Sequence, residues 1–139
     1  MTSVSRISNL GSRGIIVGTT VILGVAAIAL IFAPIEVARA VGVADPAAMA
    51  IPLQLYGAAL FGLAMTGWMV KDAIVGGVFG RSYVVGNAGH AFVGAFALTR
   101  PALAPGATPS LWAISGVYWL LALTFGYLMF VAAPRSRQG

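Results

Sequence analysis

Cysteine is absent from the 139 residues, which excludes disulfides, thiolate metal sites and cysteine nucleophiles. Charge is scarce as well: 8% of the residues are Asp, Glu, Lys or Arg, against about a quarter in an ordinary soluble domain. The acidic residues are Glu36, Asp45 and Asp72, and the one histidine is His90. A single imidazole and three scattered carboxylates cannot gather three ligands at one metal, so no metal site is expected. No basic cluster marks a nucleic-acid surface, so nucleic acid is not expected as a partner.

What remains is apolar. With 60% hydrophobic residues, the chain reads as a membrane protein whose partner is first of all the lipid bilayer. Four runs carry no charged residue, at about 14–33, 47–70, 82–99 and 111–133. Each meets the roughly 17–25 residues that a helix needs to cross ~30 Å of hydrocarbon. The runs lack the strict alternation of barrel strands, and backbone in lipid must satisfy its own hydrogen bonds, which points to helices. The expected fold is therefore all-α: a single domain, 1–139, of four transmembrane helices in an up-down-up-down bundle. The first run is too long for the apolar core of a signal peptide cleaved after Ala38-Arg39-Ala40, and a permanent helix is expected there.

Charge placement suggests an orientation. With both termini inside, Arg6, Arg13, Lys71, Arg81, Arg135 and Arg137 are cytoplasmic and only Arg39 and Arg100 are outside, which is the positive-inside pattern. This N-in/C-in arrangement suits a bacterial cytoplasmic (inner) membrane. Pro34 should end the first helix, and Asp45-Pro46 should start the second, with Asp as N-cap and Pro at the first helical position, or the start falls one turn later at Pro52. Between them 35–43 is expected to form a short interfacial helix whose Glu36 and Arg39, three residues apart, pair with each other. The Gly-rich 73–80 segment reads as a loop dipping into the interface.

Small residues and aromatics supply the packing signals. Gly86, Gly89, Gly94 and Ala97 would let the third helix approach a neighbour closely. Trp68, Tyr83, Trp112, Tyr118 and Trp119 read as interface-belt aromatics. Tyr83, Asn87, His90 and Gly94 follow steps of four, three and four, forming one polar face of the third helix that ends on His90. A titratable group at mid-span is by default a functional-site hypothesis. One reading of His90 is interhelical glue, bonded to Asn87, Thr66 or Thr124. The other is a cofactor-binding His90, an axial ligand to haem iron or to bacteriochlorophyll magnesium, with Gly86 and Gly94 leaving room for a flat macrocycle. A small residue four before a membrane histidine resembles the pigment-binding pattern of bacterial light-harvesting polypeptides. No carboxylate comes within roughly 10 Å of mid-span at 1.5 Å per residue, so a Ser-His-acid relay and proton-coupled export are not expected, and the chain reads as non-enzymatic.

In size, in its four apolar runs, and in the run 57–68 followed by Gly-Arg-Ser-Tyr-Val-Val-Gly-Asn-Ala-Gly-His at 80–90, the chain resembles the small bacterial membrane proteins of the DoxX-like sort. That resemblance implies a four-helix fold and transfers no site; within it a redox or transport role is a further alternative. The expected function is an accessory or structural subunit packing against other membrane-protein subunits, with the pigment- or haem-binding subunit as alternative.

Overall fold

The computed structural model describes residues 3–72 and 77–130, with side chains from Gly11 onward. It holds five helices: α1 Ser3–Phe32, α2 Pro34–Ala40, α3 Ala50–Val70, α4 Val78–Ala102 and α5 Pro109–Phe130. No strand occurs among the described residues.

Local chemistry sets most boundaries. Proline disfavours the helical conformation in the residue before it, and Ala33 breaks the helix at φ −132° and ψ 47°, with Pro34 opening α2. The short helix expected near 35–43 is thus present, displaced by one residue at its start. It ends in a Schellman arrangement: Gly42 takes a left-handed φ of 82°, its N–H donates to Arg39 O at 3.1 Å, and Val43 N–H donates to Ala38 O at 3.0 Å. Only glycine enters that conformation without steric cost. Asp45 caps a turn rather than a helix, its Oδ1 accepting from Ala48 N–H at 3.1 Å. As a result α3 starts at Ala50, later than Asp45-Pro46 suggests, and Pro52 falls in its first turn, where a missing N–H costs nothing. Residues 73–76 of the expected loop lie outside the described residues, and from Val78 the chain is already α4. Residues 131–133 of the fourth expected span also lie outside them.

The long helices associate as two antiparallel pairs, α1 with α3 and α4 with α5, joined by a much narrower contact between α3 and α4. Leu23, Ala27 and Leu30 of α1 interlock with Leu60 and Ala64 of α3. Tyr83, Val84, Ala88 and Ala91 of α4 interlock with Leu121, Ala122, Phe125 and Leu128 of α5, and Ile16 of α1 reaches this second core. At one end Arg13 of α1 pairs with Asp72, just past α3, at 3.1 Å, and Lys71 Nζ lies 4.4 Å from the centre of the Trp68 ring. At the other end the Ser110 hydroxyl, in the first turn of α5, donates to Ala40 O at the end of α2. Glu36 and Arg39 form no ion pair with each other among the described residues, contrary to the expected pairing.

The expectation of four transmembrane helices is corrected by composition along the helices. Three are long and apolar enough to cross a membrane: Gly11–Phe32 within α1, Ala50–Val70 and Pro109–Phe130. The chain is therefore an integral membrane protein by its helices. At 25 residues α4 is the longest after α1, yet it falls short in apolarity. Freedom from charge over 82–99 is not apolarity: Ser82, Asn87, His90 and Thr99 are polar, and Gly86, Gly89 and Gly94 add little hydrophobic area. The four-span N-in/C-in bundle falls with the count. The finding is two helix pairs with three apolar spans.

Gly57 illustrates how the first pair closes. A Cβ there would stand 2.9 Å from Leu30 Cβ and 3.0 Å from the Ala27 carbonyl oxygen, whereas one at Gly62 would meet nothing within 4 Å. Backbone cannot yield as a side-chain tip does. Gly57→Ala should therefore lower stability by about 1–3 kcal/mol, the usual range for overpacking, and Gly62→Ala should leave it unchanged. Thermal unfolding of both variants in the same detergent decides; equal melting would mean that α1 and α3 are not in close contact at Gly57.

Candidate functional site

Three helices converge on His90. Its ring, on α4, lies between Tyr56 of α3 and Tyr118 of α5, with Nε2 3.4 Å from each phenol oxygen. The two phenols are hydrogen-bonded to each other. Ring centres are 6.1 Å apart for Tyr56 and His90 and 5.5 Å for His90 and Tyr118. Gly94, one turn beyond His90, explains how Tyr118 gets there: the Tyr118 ring covers the position a Cβ of Gly94 would occupy. Trp119, the next residue of α5, donates its indole N–H to Thr99 Oγ1 at 3.0 Å and meets Phe96 edge-on at 5.2 Å. These contacts fix the α4–α5 register.

The three polar groups form a closed set. One phenol proton goes to the other phenol oxygen, and the remaining phenol can donate to Nε2 or accept from it, depending on the imidazole tautomer. At 3.4 Å the contacts to nitrogen are long for hydrogen bonds, and so are the easily exchanged members of the group. Beside the group lies an open depression of about 430 Å³, lined by Tyr56, Gly89, His90, Val93 and Gly94. Nothing stands within 4 Å of a Cβ at Gly89, so its glycine floor is clear.

The expected partners of His90 look elsewhere. Asn87 is buried and its Nδ2 donates to Tyr83 O at 3.0 Å, within α4. Thr66 and Thr124 donate to Leu63 O and Leu120 O of their own helices at 2.8 and 2.7 Å, the back-bonding common for hydroxyls inside helices. Tyr83 is buried at 7% exposure and packs edge-on against Phe125 with ring centres 6.0 Å apart. Gly86, like Gly89, faces open space. Of the expected polar face, then, the structure gathers His90 and Gly94 around Tyr118, packs Tyr83 and Asn87 inside, and leaves Gly86 and Gly89 outward. Sequence reasoning gives Tyr56 no role and places Tyr118 in the interface belt, away from His90. The available signal for Tyr56 was its place as the single phenol of α3, several residues inside an apolar run.

Tested against an axial macrocycle, these residues fit poorly. The nitrogen that would bind the metal points at two phenols, and the Tyr118 ring occupies the clearance over Gly94. The arrangement suits a hydrogen-bonded clamp better than a haem or bacteriochlorophyll ligand.

Membrane hydrogen bonds average about 0.6 kcal/mol in measured cycles, so Tyr118→Phe should destabilise by roughly that amount. Gly94→Leu should cost several times more, because the Tyr118 ring has to leave. Gly89→Leu, projecting into the depression, should melt like the parent. An unchanged melt for Gly94→Leu would show that Tyr118 does not lie on α4.

No protein-family model matches the chain, and no curated protein or solved structure matches it either.

Proposed function

We propose that this chain is a non-enzymatic subunit of a larger membrane assembly, and that the outer face of α4 is where it meets another membrane-protein subunit. One observation carries the reading. Ser82, Gly86, Gly89, Val93, Ala97 and Arg100 recur at helical spacing along α4, and every one of them is exposed. A helix of such composition is poorly suited to lipid around its whole circumference. Small residues in that pattern let a second helix approach closely, and dispersion then does what hydrophobicity cannot do between helices in lipid. His90, with both phenols in contact, serves in this reading as the clamp between the two helix pairs rather than as a cofactor ligand.

The assembly would sit in a bacterial cytoplasmic membrane with its basic end inside. Arg13, Lys71 and Arg81 lie where the apolar part of α1 starts, α3 ends and α4 begins, against Arg39 and Arg100 at the opposite end.

Two experiments test this. Extracted gently from its native membrane, the parent should run well above the mass of one chain, and Gly86→Leu should release it without lowering its melting temperature. A parent that runs as one chain would retire the subunit reading, and a coloured parent whose absorption band disappears in His90→Gln would favour the haem or pigment alternative. For orientation, the cysteine-free background allows single probes. Ala44→Cys, between α2 and α3, should react with a membrane-impermeant maleimide on intact spheroplasts and Gly77→Cys, beyond α3, only after lysis; the reverse pattern would invert the orientation.

A further inference from the structure

We infer that the depression between α3 and α4 at Tyr56 and His90 is a binding site for an uncharged, membrane-dissolved amphiphile whose head is a single oxygen, an alcohol or an ester carbonyl. The depression shares Gly89 and Val93 with the face of α4 assigned above to a partner subunit, so the ligand is read on the single chain, free of any partner.

Four features define the ligand. The site lies within hydrocarbon, since Tyr56 and Tyr118 belong to two of the three apolar spans. Tyr56 is six residues past the start of α3, roughly 9 Å along the helix at 1.5 Å per residue. No charged residue lines the depression, so an ionised head would be buried without a counter-charge, which is costly. Its volume of about 430 Å³ falls within the range of small-molecule sites, roughly 300–1,000 Å³, and is far below what a protein helix needs. Gly89 leaves one side of it without a side chain, and Val93 supplies an apolar wall for the first methylenes of a tail.

The polar end follows from the proton inventory. Tyr56 lines the depression whereas Tyr118 does not. If Tyr118 donates to Nε2, the Tyr56 proton is free to turn from the Tyr118 oxygen to a ligand oxygen. What is given up is the phenol–phenol bond, while Nε2 keeps the proton of Tyr118. The exchange is nearly even, one O–H···O bond for another, and the buried apolar tail supplies the net gain.

The sole histidine makes the test specific, because 15N-histidine labelling yields one Nε2 resonance. The protein is placed in nanodiscs of ether-linked lipid, which bring no ester carbonyl, and is titrated separately with dodecan-1-ol, methyl laurate and dodecane. A saturable Nε2 shift is expected with one or both oxygen-bearing probes and not with dodecane. A response to dodecan-1-ol identifies a free alcohol as the ligand, and one to methyl laurate an acyl ester such as the membrane's own lipid. Tyr56→Phe, which keeps the ring, and Gly89→Leu, which fills the depression, should each reduce the response at least tenfold. A shift linear in added probe, one matched by dodecane, one that survives both substitutions, or none with any probe would overturn the assignment.

Discussion

Two tightly packed helix pairs touch along a narrow strip of α3 and α4, and the group of three rings at Tyr56, His90 and Tyr118 spans that strip. In lipid the hydrophobic effect gives helices no reason to prefer one another over acyl chains. Within each pair, packing supplies the reason: small residues on one helix receive large ones from the other. Across the pairs, packing is confined to the crossing of Ile16, Gly67 and Tyr83, and the ring group adds a second point of alignment. At about 0.6 kcal/mol per membrane hydrogen bond, the two bonds that the group's protons allow at once amount to roughly 1 kcal/mol. That is little against the whole fold, yet enough to favour one register of α3 against α4 and α5 severalfold.

Glycines that look alike in the sequence divide into two kinds here. Gly57, Gly67 and Gly94 are places where another residue occupies the volume of the missing side chain. At Gly67 the hydroxyls of Thr20 and Tyr83 come in from α1 and α4, and both are buried without a hydrogen-bond partner among the described residues, a cost the fold bears where three helices cross. Gly86 and Gly89 receive nothing from the described residues. The first kind closes this protein on itself. The second leaves a surface and a depression open to something else.

How much of this was legible in the sequence depends on the kind of signal. Helices at the apolar runs, the break at Pro34 and the short helix after it follow from local rules that neighbours rarely override. The count of spans did not, because an uncharged run is not the same as an apolar one, and α4 carries Asn87, His90 and three glycines in its middle. His90 stood out as a lone imidazole, but its partners did not. Tyr118 beside Trp119 carries the same aromatic signal whether it sits at a membrane interface or against another helix, and Tyr56 meets His90 only because α3 and α4 cross at that height. Asn87, Thr66 and Thr124 were attractive partners by chemistry, and each instead satisfies itself on its own helix. Pairings of that sort depend on register between helices, which no local pattern encodes.

The claim that bears most weight is the contact of one imidazole with two phenols on two other helices. It can be observed directly by through-space solid-state NMR correlation between 15N-histidine and tyrosine 13Cζ in bilayers. The account predicts correlations from Nε2 to two tyrosines, one vanishing in Tyr56→Phe and the other in Tyr118→Phe. A histidine that correlates with no tyrosine, or only with Tyr83, would contradict it.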